Sequence, residues 1–280
     1  MRIVDVEAIA ISAPNPAGTY WGAATWGGPG QDDPLVHWGG TRFPHPGRMR
    51  PAYARGFETT LVRIETDSGL VGWGEAKAPV APRVTKAIID DLLRDLILGA
   101  DPLRVEPLWE TMYASMRLRG HASGFLLEAI SGVDIALWDL AGKALSAPVH
   151  QLLGGAYRER ISVYASGVPA TLDPPGGPDH DRMLAAATDA IHRGFQGVKM
   201  AIGRDPDADV ASVAAVRDRL GDSVDLFVDA AGNYDVDTAI RVGRELQRLK
   251  VAFFEAPLPP ELVDGHAEVA RALDVPIASD

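Results

Sequence analysis

The sequence predicts an α+β domain followed by a series of parallel β/α units, and three apolar runs carry this prediction. The runs are GVKMAIG at 197–203, DLFVDAAGNY at 225–234 and VAFFEAP at 251–257. Each run has the length of a strand, and the segments between them have helical periodicity, which is typical of parallel strands joined by crossover helices. Parallel strands are buried on both faces, so the continuous apolar sequence at 226–228 fits better than strict alternation would.

Charged residues stand at or near the ends of these three runs. Asp229 and Glu255 lie near the carboxyl ends of two predicted neighbouring strands. In a (β/α) barrel the carboxyl ends of the strands form the mouth of the active site. Two carboxylates at close range need a cation to stay ionised, and Mg2+ is the natural hard divalent ion for oxygen ligands. Lys199 would add a positive charge beside the same cavity. The alternative interpretation is that all three are ordinary polar residues at a solvated rim.

The composition indicates a globular protein and limits its partners. The chain has 280 residues, of which 46% are hydrophobic and 23% are charged, so it can bury a sizeable core in one or two domains. The formal net charge of -11 argues against nucleic acid and an anionic membrane as partners. Cysteine is absent, so any metal must be held by carboxylates or histidines. No signal-peptide core or membrane-span-length apolar run is present, which predicts a cytoplasmic protein.

The first part of the chain has the elements of an α+β domain, which we expect at 1–123. The predicted strands lie at 2–11, 57–66 and 70–76, and the predicted helices at 82–98 and 105–118. The tight-turn sequence at 67–69 joins the second and third strands, which predicts a β-hairpin. Strands followed by helices are typical of an α+β unit.

Residues 12–56 interrupt this pattern with a long segment that lacks periodicity. The segment is rich in Gly and Pro but also contains many aromatic residues. Segments of this length are usually functional lids or disordered, and the aromatic content argues against disorder. We therefore predict a lid, with a structural surface loop as the alternative. His37 and His45 are candidates to bind substrate and protonate a departing hydroxyl, and Arg42 and Arg48 are candidates to hold a carboxylate.

The second domain is expected at 124–280 and begins with a long helix at 124–145. The units that follow have predicted strands at 161–167, 197–202, 225–230 and 251–256, with helices at 181–193, 207–220, 235–249 and 261–273, before a last strand in PIASD. Five strands are visible, whereas about eight close a barrel. The phosphate-binding sequences GxGxxG and GxxxxGK[ST] are absent, which disfavours a nucleotide-binding fold.

The motifs in this order resemble those of the enolase superfamily, in its mandelate racemase/muconate lactonizing enzyme branch. The matching segments are GWGEA, AISGVDIALWDLAGKAL, QLLGG, VKMAIG, LFVDAAGNY and FFEAPLPPE. The resemblance implies a capping α+β domain and a modified TIM-like (β/α) barrel. It also implies Mg2+ held by three acidic residues, and removal of the proton α to a carboxylate by a Lys or His base. A small-molecule carboxylate substrate and a homo-oligomer are expected on the same grounds.

Three residues match the family's site. By resemblance, Asp229 is the first metal ligand and Glu255 the second. Lys199 matches the first lysine of the family's Lys-x-Lys pair, which lies beside the substrate carboxylate and is our catalytic candidate.

Other positions depart from the family pattern. Ala201 replaces the second lysine, a base in racemases and cycloisomerases, and Ala231 stands where many relatives have Asn, with Asn233 nearby as a substrate-binding candidate. The third metal ligand would follow Asp280, and the His–Asp dyad and the last strands would lie beyond it. We therefore expect this sequence to be the N-terminal part of a longer protein.

These observations favour a Mg2+-dependent lyase that dehydrates a sugar acid or a related hydroxy acid. Loss of the base at Ala201 disfavours two-base racemisation, whereas one-base dehydration by a His–Asp dyad stays possible. The alternatives are a racemase or cycloisomerase of the same superfamily, and a catalytically inactive homologue that binds a ligand or a partner.

Overall fold

The computed structural model describes residues 1–13, 57–121, 123–168, 180–203 and 205–279. The contacts divide the chain into two units, with the first ending at Glu159 and the second continuing from Arg160. The predicted lid lies outside the described residues from residue 14 onward, and with it His37, Arg42, His45 and Arg48. Asp280 also lies outside them.

The first unit contains a three-stranded antiparallel sheet in the order β1-β2-β3. Its strands are β1 (Ile3–Ala13), β2 (Phe57–Thr66) and β3 (Val71–Ala76). The pairing of β2 with β3 confirms the predicted hairpin. Val62 and Ile64 of β2 are fully buried and separated by a partly exposed residue, which is the alternation of a sheet with one face on the core.

Helices cover this sheet. They are α1 (Pro82–Ile88), a π-helical turn (Ile89–Leu93), α2 (Arg94–Ile97), α3 (Val105–Ala114), a 3-10 turn (Arg117–Arg119), α4 (Phe125–Leu145) and α5 (Val149–Leu152). The single helix predicted at 82–98 is thus a continuous helical run that widens into one π-helical turn. Among the helices described, none is long and apolar enough to cross a membrane.

Helix α4 lies directly on β3 because glycines leave room for its backbone. A Cβ atom added at Gly74 would lie 2.0 Å from the Gly132 carbonyl oxygen, and one added at Gly132 would lie 2.7 Å from the Ala76 Cβ. Leu137 and Leu140 of α4 are fully buried in the core of this unit. The helix that the sequence placed at the start of the second domain therefore packs in the first unit. The division of contacts after Glu159 differs from the predicted boundary at 123/124 for this reason.

The second unit is a five-stranded parallel sheet in the order β4-β5-β6-β7-β8, with helices between its strands. Its elements are β4 (Ala165–Val168), α6 (His180–His192), β5 (Gly197–Ala201), α7 (Pro206–Leu220), β6 (Asp225–Asp229), α8 (Val236–Arg248), β7 (Phe253–Glu255), α9 (Val263–Ala272) and β8 (Ile277–Ala278). The first strand begins at Ala165 rather than at 161, because β5 starts at Gly197 and gives earlier residues little to pair with.

Alternate residues of these strands face different surroundings. Val198, Met200 and Val228 are fully buried in the core that includes the helices. Lys199 and Phe227 alternate with them, so they lie on the opposite face of the sheet. On that face the Phe227 ring contacts the ring of Phe253, with 4.5 Å between centroids. The charged residues near the strand ends thus share one face with aromatic residues below them.

Arg217 of α7 holds the amino-terminal ends of β6 and β7. Its side chain donates hydrogen bonds of 2.8–2.9 Å to the backbone carbonyls of Leu249, Gly221, Val224 and Lys250. The residue is 7% exposed, so few of these carbonyls would find water if the guanidinium were removed.

We expect Gly74→Ala to reduce the free energy of unfolding by more than about 3 kcal/mol, because its methyl group overlaps the backbone of α4. Urea denaturation measures the loss. Gly69→Ala is the matched control, since no atom lies within 4 Å of its Cβ position and only its left-handed backbone costs about 1–2 kcal/mol. Equal losses for the two variants would contradict the close contact of α4 with β3.

We expect Arg217→Met to reduce the free energy of unfolding by at least about 2 kcal/mol, because it leaves buried carbonyls without donors. Arg219→Met in the same helix changes an exposed side chain and should cost less than about 0.5 kcal/mol. Similar urea midpoints for both variants would show that the carbonyl contacts of Arg217 contribute nothing.

Candidate metal centre at the carboxyl ends of the parallel strands

Two carboxylates and one ammonium meet at the carboxyl ends of β5, β6 and β7. Asp229 and Glu255 are the last residues of β6 and β7 and pair with each other in register. The Lys199 Nζ donates hydrogen bonds to Asp229 Oδ2 at 3.2 Å and to Glu255 Oε2 at 2.9 Å. The three side chains are 13%, 7% and 15% exposed for Lys199, Asp229 and Glu255 respectively. The structure therefore brings these three predicted residues together in a largely buried cluster.

The sheet continues past the strand ends and fixes the backbone around these residues. Ile202 N–H donates to the Asp229 carbonyl at 2.8 Å, and Ala230 N–H donates to the Glu255 carbonyl at 3.0 Å. These bonds tie each strand end to its neighbour. The separation of the two carboxylates is consequently set by the spacing of parallel strands, rather than by loops that move independently.

The turn after β6 orients the Asp229 carboxylate. Ala231 N–H donates to Asp229 Oδ1 at 2.9 Å, while the other oxygen, Oδ2, faces Lys199. Ala231 has φ 50° and Ala256, directly after Glu255, has φ 41°. Alanine rarely adopts this left-handed conformation, and such strain is concentrated at functional sites. The backbone after each carboxylate is thus held in a strained conformation that the surrounding contacts maintain.

Lys199 carries its positive charge in this cluster. Burial disfavours the ammonium, but the hydrogen bond that it donates to Glu255 and the negative charges of Asp229 and Glu255 outweigh this effect and raise the pKa of Lys199 above the ordinary lysine value of 10.5. The ammonium is therefore retained at neutral pH, and Lys199 is a charge partner rather than a proton acceptor. One positive charge faces two carboxylates, which leaves the cluster with an excess of negative charge.

The donor set fits a hard divalent cation. One oxygen of Asp229 lies 3.2 Å and one oxygen of Glu255 lies 2.9 Å from the Lys199 Nζ, so the two carboxylates face a common position. Mg2+ prefers carboxylate oxygens and water. Within the described ranges no group of three metal-binding side chains occurs. Asp229 and Glu255 stay the predicted first and second metal ligands.

Two neighbouring positions bear on the chemistry. Ala201 pairs with Asp229 in register and lies two residues beyond Lys199 on the same strand, so a methyl group occupies the place of the family's second lysine. Asn233 lies in the turn after β6, where its Nδ2 is 3.2 Å from the Cβ position of Gly203. Its buried Oδ1 has no hydrogen-bond partner among the described residues. Its contact with a substrate stays a prediction.

Sequence reasoning missed a second, deeper group of residues behind this cluster. Asp209 and Tyr234 are both buried and hydrogen-bonded to each other at 2.7 Å. The available signal was an acidic residue in line with Val213 and Val216 along a predicted helix, because such positions normally hold apolar residues.

Comparison with known proteins places the chain in a family. The profile "Mandelate racemase / muconate lactonizing enzyme, N-terminal domain" matches residues 44–154, and "Enolase C-terminal domain-like" matches residues 182–280. A racemase of Streptomyces coelicolor A3(2), solved with bound magnesium, is 30% identical with a TM-score of 0.80, over 99% of this chain and 68% of that one. The chain belongs to the enolase superfamily, in its mandelate racemase/muconate lactonizing enzyme branch.

Curated relatives are sugar-acid enzymes. The D-galactonate dehydratase of Variovorax paradoxus is 38% identical over 223 residues, which are 78% of this chain and 57% of that protein. The D-galactarolactone cycloisomerase of Agrobacterium fabrum is 35% identical over 221 residues, which are 78% of this chain and 56% of that protein. The chain therefore spans somewhat more than half the length of the curated relatives it matches.

We expect Glu255→Gln to speed acylation of the Lys199 amine by acetic anhydride at pH 9. The variant removes the negative charge and leaves only a neutral amide oxygen to accept the hydrogen bond from Lys199, which lowers the pKa of Lys199, so more of the reactive free amine is present. Peptide mass spectrometry measures the rate at each lysine. Lys250, in an exposed pair with Asp222, is the internal control and should react equally in both proteins. An unchanged rate at Lys199 would contradict the electrostatic coupling.

Proposed function

We propose that the protein is a Mg2+-dependent lyase that dehydrates a sugar acid. The observation that carries the proposal is the buried cluster of Lys199, Asp229 and Glu255 at adjacent strand ends. Its excess negative charge suits a divalent ion, and its ammonium suits the carboxylate of a substrate. The names of the relatives, which include D-galactonate dehydratase and arabinonate dehydratase, support a sugar-acid substrate.

Asp229 and Glu255 are the proposed metal ligands. A Mg2+ ion held there would neutralise the negative charge that develops on the substrate carboxylate when the neighbouring C–H bond loses its proton. The Ala231 N–H fixes one Asp229 oxygen, so the other oxygen has a defined direction toward the shared position. In this proposal the strained turn positions the ligand before any ion arrives.

Lys199 is proposed to bind the substrate carboxylate. Its ammonium lies within hydrogen-bond distance of both acidic residues. A substrate carboxylate that also accepted a hydrogen bond from this ammonium would therefore lie next to Asp229 and Glu255. The raised pKa of Lys199 makes it a poor proton acceptor, and Ala201 has no titratable group. Neither Lys199 nor Ala201 of β5 is therefore proposed as the base that removes the proton. This is consistent with dehydration by a single base from elsewhere in the protein.

The reaction in this proposal removes one water. The proton leaves the carbon next to the carboxylate, the hydroxyl on the adjacent carbon departs with a proton as water, and the enol product becomes a 2-keto acid. His37, His45 and Arg42 remain predicted substrate-binding residues, and the homo-oligomer remains a prediction from the resemblance. A small-molecule carboxylate is the only partner that the proposed site requires.

The activity test incubates the protein and Mg2+ with a panel of aldonic and aldaric acids. We expect a 2-keto acid, detected as its semicarbazone, from at least one acid, and no product from Asp229→Asn. Mass spectrometry separates the second candidate, a cycloisomerase, which the relative of Agrobacterium fabrum favours, because a cycloisomer keeps the mass of its substrate. Binding of Mg2+ without turnover of any acid would favour the inactive homologue and contradict the proposed lyase.

We expect Asp229→Asn to weaken Mg2+ binding at least tenfold, because it removes one ligand charge at nearly constant shape. Isothermal titration calorimetry measures the affinity. Asp222→Asn is the matched control, since that carboxylate pairs with Lys250 at the surface and should not affect binding. Equal affinity for Asp229→Asn and wild type would rule out the proposed metal site.

A further inference from the structure

A buried carboxylate in the first turn of α7 lies at the centre of a hydrogen-bond network beside the cluster. Asp209 Oδ2 accepts a hydrogen bond from Gly203 N–H at 3.0 Å and one from the Tyr234 hydroxyl at 2.7 Å. Asp209 is 3% exposed and Tyr234 is 2% exposed. An ionised group in such surroundings costs free energy unless specific contacts offset the cost. The N-terminal position in a helix of 15 residues contributes one such contact, through the helix dipole.

The partners of Asp209 belong to the segments that follow the strands of the candidate metal centre. Gly203 follows β5, which carries Lys199, and Tyr234 follows β6, which ends at Asp229. Tyr234 N–H in turn donates to the Pro257 carbonyl at 3.1 Å, two residues after Glu255. Asp209 Oδ2 thus bonds directly to the segments after β5 and β6, and Tyr234 links them to the segment after β7.

Close packing makes this connection stiff. Gly203 has φ +103°, and a Cβ atom there would lie 2.5 Å from the Ala230 carbonyl oxygen, so the segment after β5 contacts the turn that holds Asp229. Gly232 N–H in the same turn donates to the Ala256 carbonyl at 2.7 Å. Between these contacts stands Ala231, whose N–H holds Asp229 Oδ1 and whose strained backbone needs support from its neighbours.

We propose that Asp209 is a positioning residue for the metal centre, acting through Gly203 and Tyr234 to hold the Ala231 turn and thereby orient the Asp229 carboxylate. The proposal rests on the proposed metal role of Asp229. It assigns to a side chain outside the cluster the task of keeping the ligand in place. A carboxylate suits this role because an ionised acceptor forms stronger hydrogen bonds than a neutral one.

The test uses two variants and a control on the same helix. Tyr234→Phe removes one hydroxyl and keeps the ring that packs against Phe254, so the fold should be retained. Asp209→Asn removes the charge at nearly constant shape. Arg217→Met is the control, because Arg217 lies on α7 but contacts the opposite ends of the strands. It should lower stability without disturbing the Ala231 turn.

Two measurements are made on each protein. Calorimetry gives the Mg2+ affinity. Amide hydrogen exchange, followed by NMR in the absence of metal, gives the exchange rate of the Ala231 N–H, which is compared with the rate of amides that exchange only on global unfolding. We expect Tyr234→Phe and Asp209→Asn to weaken Mg2+ binding and speed Ala231 exchange by about three- to tenfold, the range of one lost hydrogen bond. Arg217→Met should change neither quantity.

Some outcomes separate the two proposals. If wild type binds no Mg2+, the metal function fails, yet Ala231 exchange still decides whether Asp209 holds the turn. Unchanged Ala231 exchange in Tyr234→Phe and Asp209→Asn would overturn the positioning role, whatever the metal does. Faster exchange with unchanged Mg2+ affinity would also overturn it, because the turn would then not orient a ligand. If Arg217→Met changed Mg2+ affinity and Ala231 exchange as much as the two test variants do, the Asp209 contacts would support the fold in general and would have no specific positioning role.

Discussion

The structure of the second unit depends on the placement of two like charges at adjacent ends of parallel strands. Asp229 and Glu255 pair in register, so the sheet itself brings their carboxylates together in a place with little access to water. Such a pair is stable only when a positive charge lies between them. Lys199 supplies one charge from the next strand, and the remaining imbalance suits the divalent ion that we propose.

The surroundings of the cluster follow from this constraint. Successive side chains of a strand point to opposite faces of the sheet, so Val198 and Met200 lie in the apolar core and Lys199 lies on the other face. The left-handed turn at Ala231 directs a backbone N–H to Asp229, and contacts from neighbouring segments offset the strain of that turn. The opposite ends of the strands are held by the Arg217 contacts with carbonyls, so stability and ligand geometry are supported at different ends of one helix.

Sequence patterns predicted the elements whose signal is local. Continuous apolar runs indicated β5, β6 and β7, and the charged residues at their ends meet as parallel pairing requires. Patterns did not predict the π-helical turn at Ile89–Leu93, because an extra residue in one turn barely changes the apolar spacing. They grouped α4 with the second domain, whereas its contacts lie in the first unit, since its packing on β3 depends on glycine contacts between distant segments. Asp209 was missed because its partners, Gly203 and Tyr234, come together only in the folded chain.

Asp229 and Glu255 are proposed to share one cation position. Mn2+ is an oxygen-binding substitute for Mg2+, and its anomalous X-ray scattering locates it directly in a crystal of the protein. We expect one anomalous peak within coordination distance of an oxygen from each carboxylate, and its loss in crystals of Asp229→Asn. A peak bound to other residues, or no peak at saturating Mn2+, would contradict a cation position shared by Asp229 and Glu255.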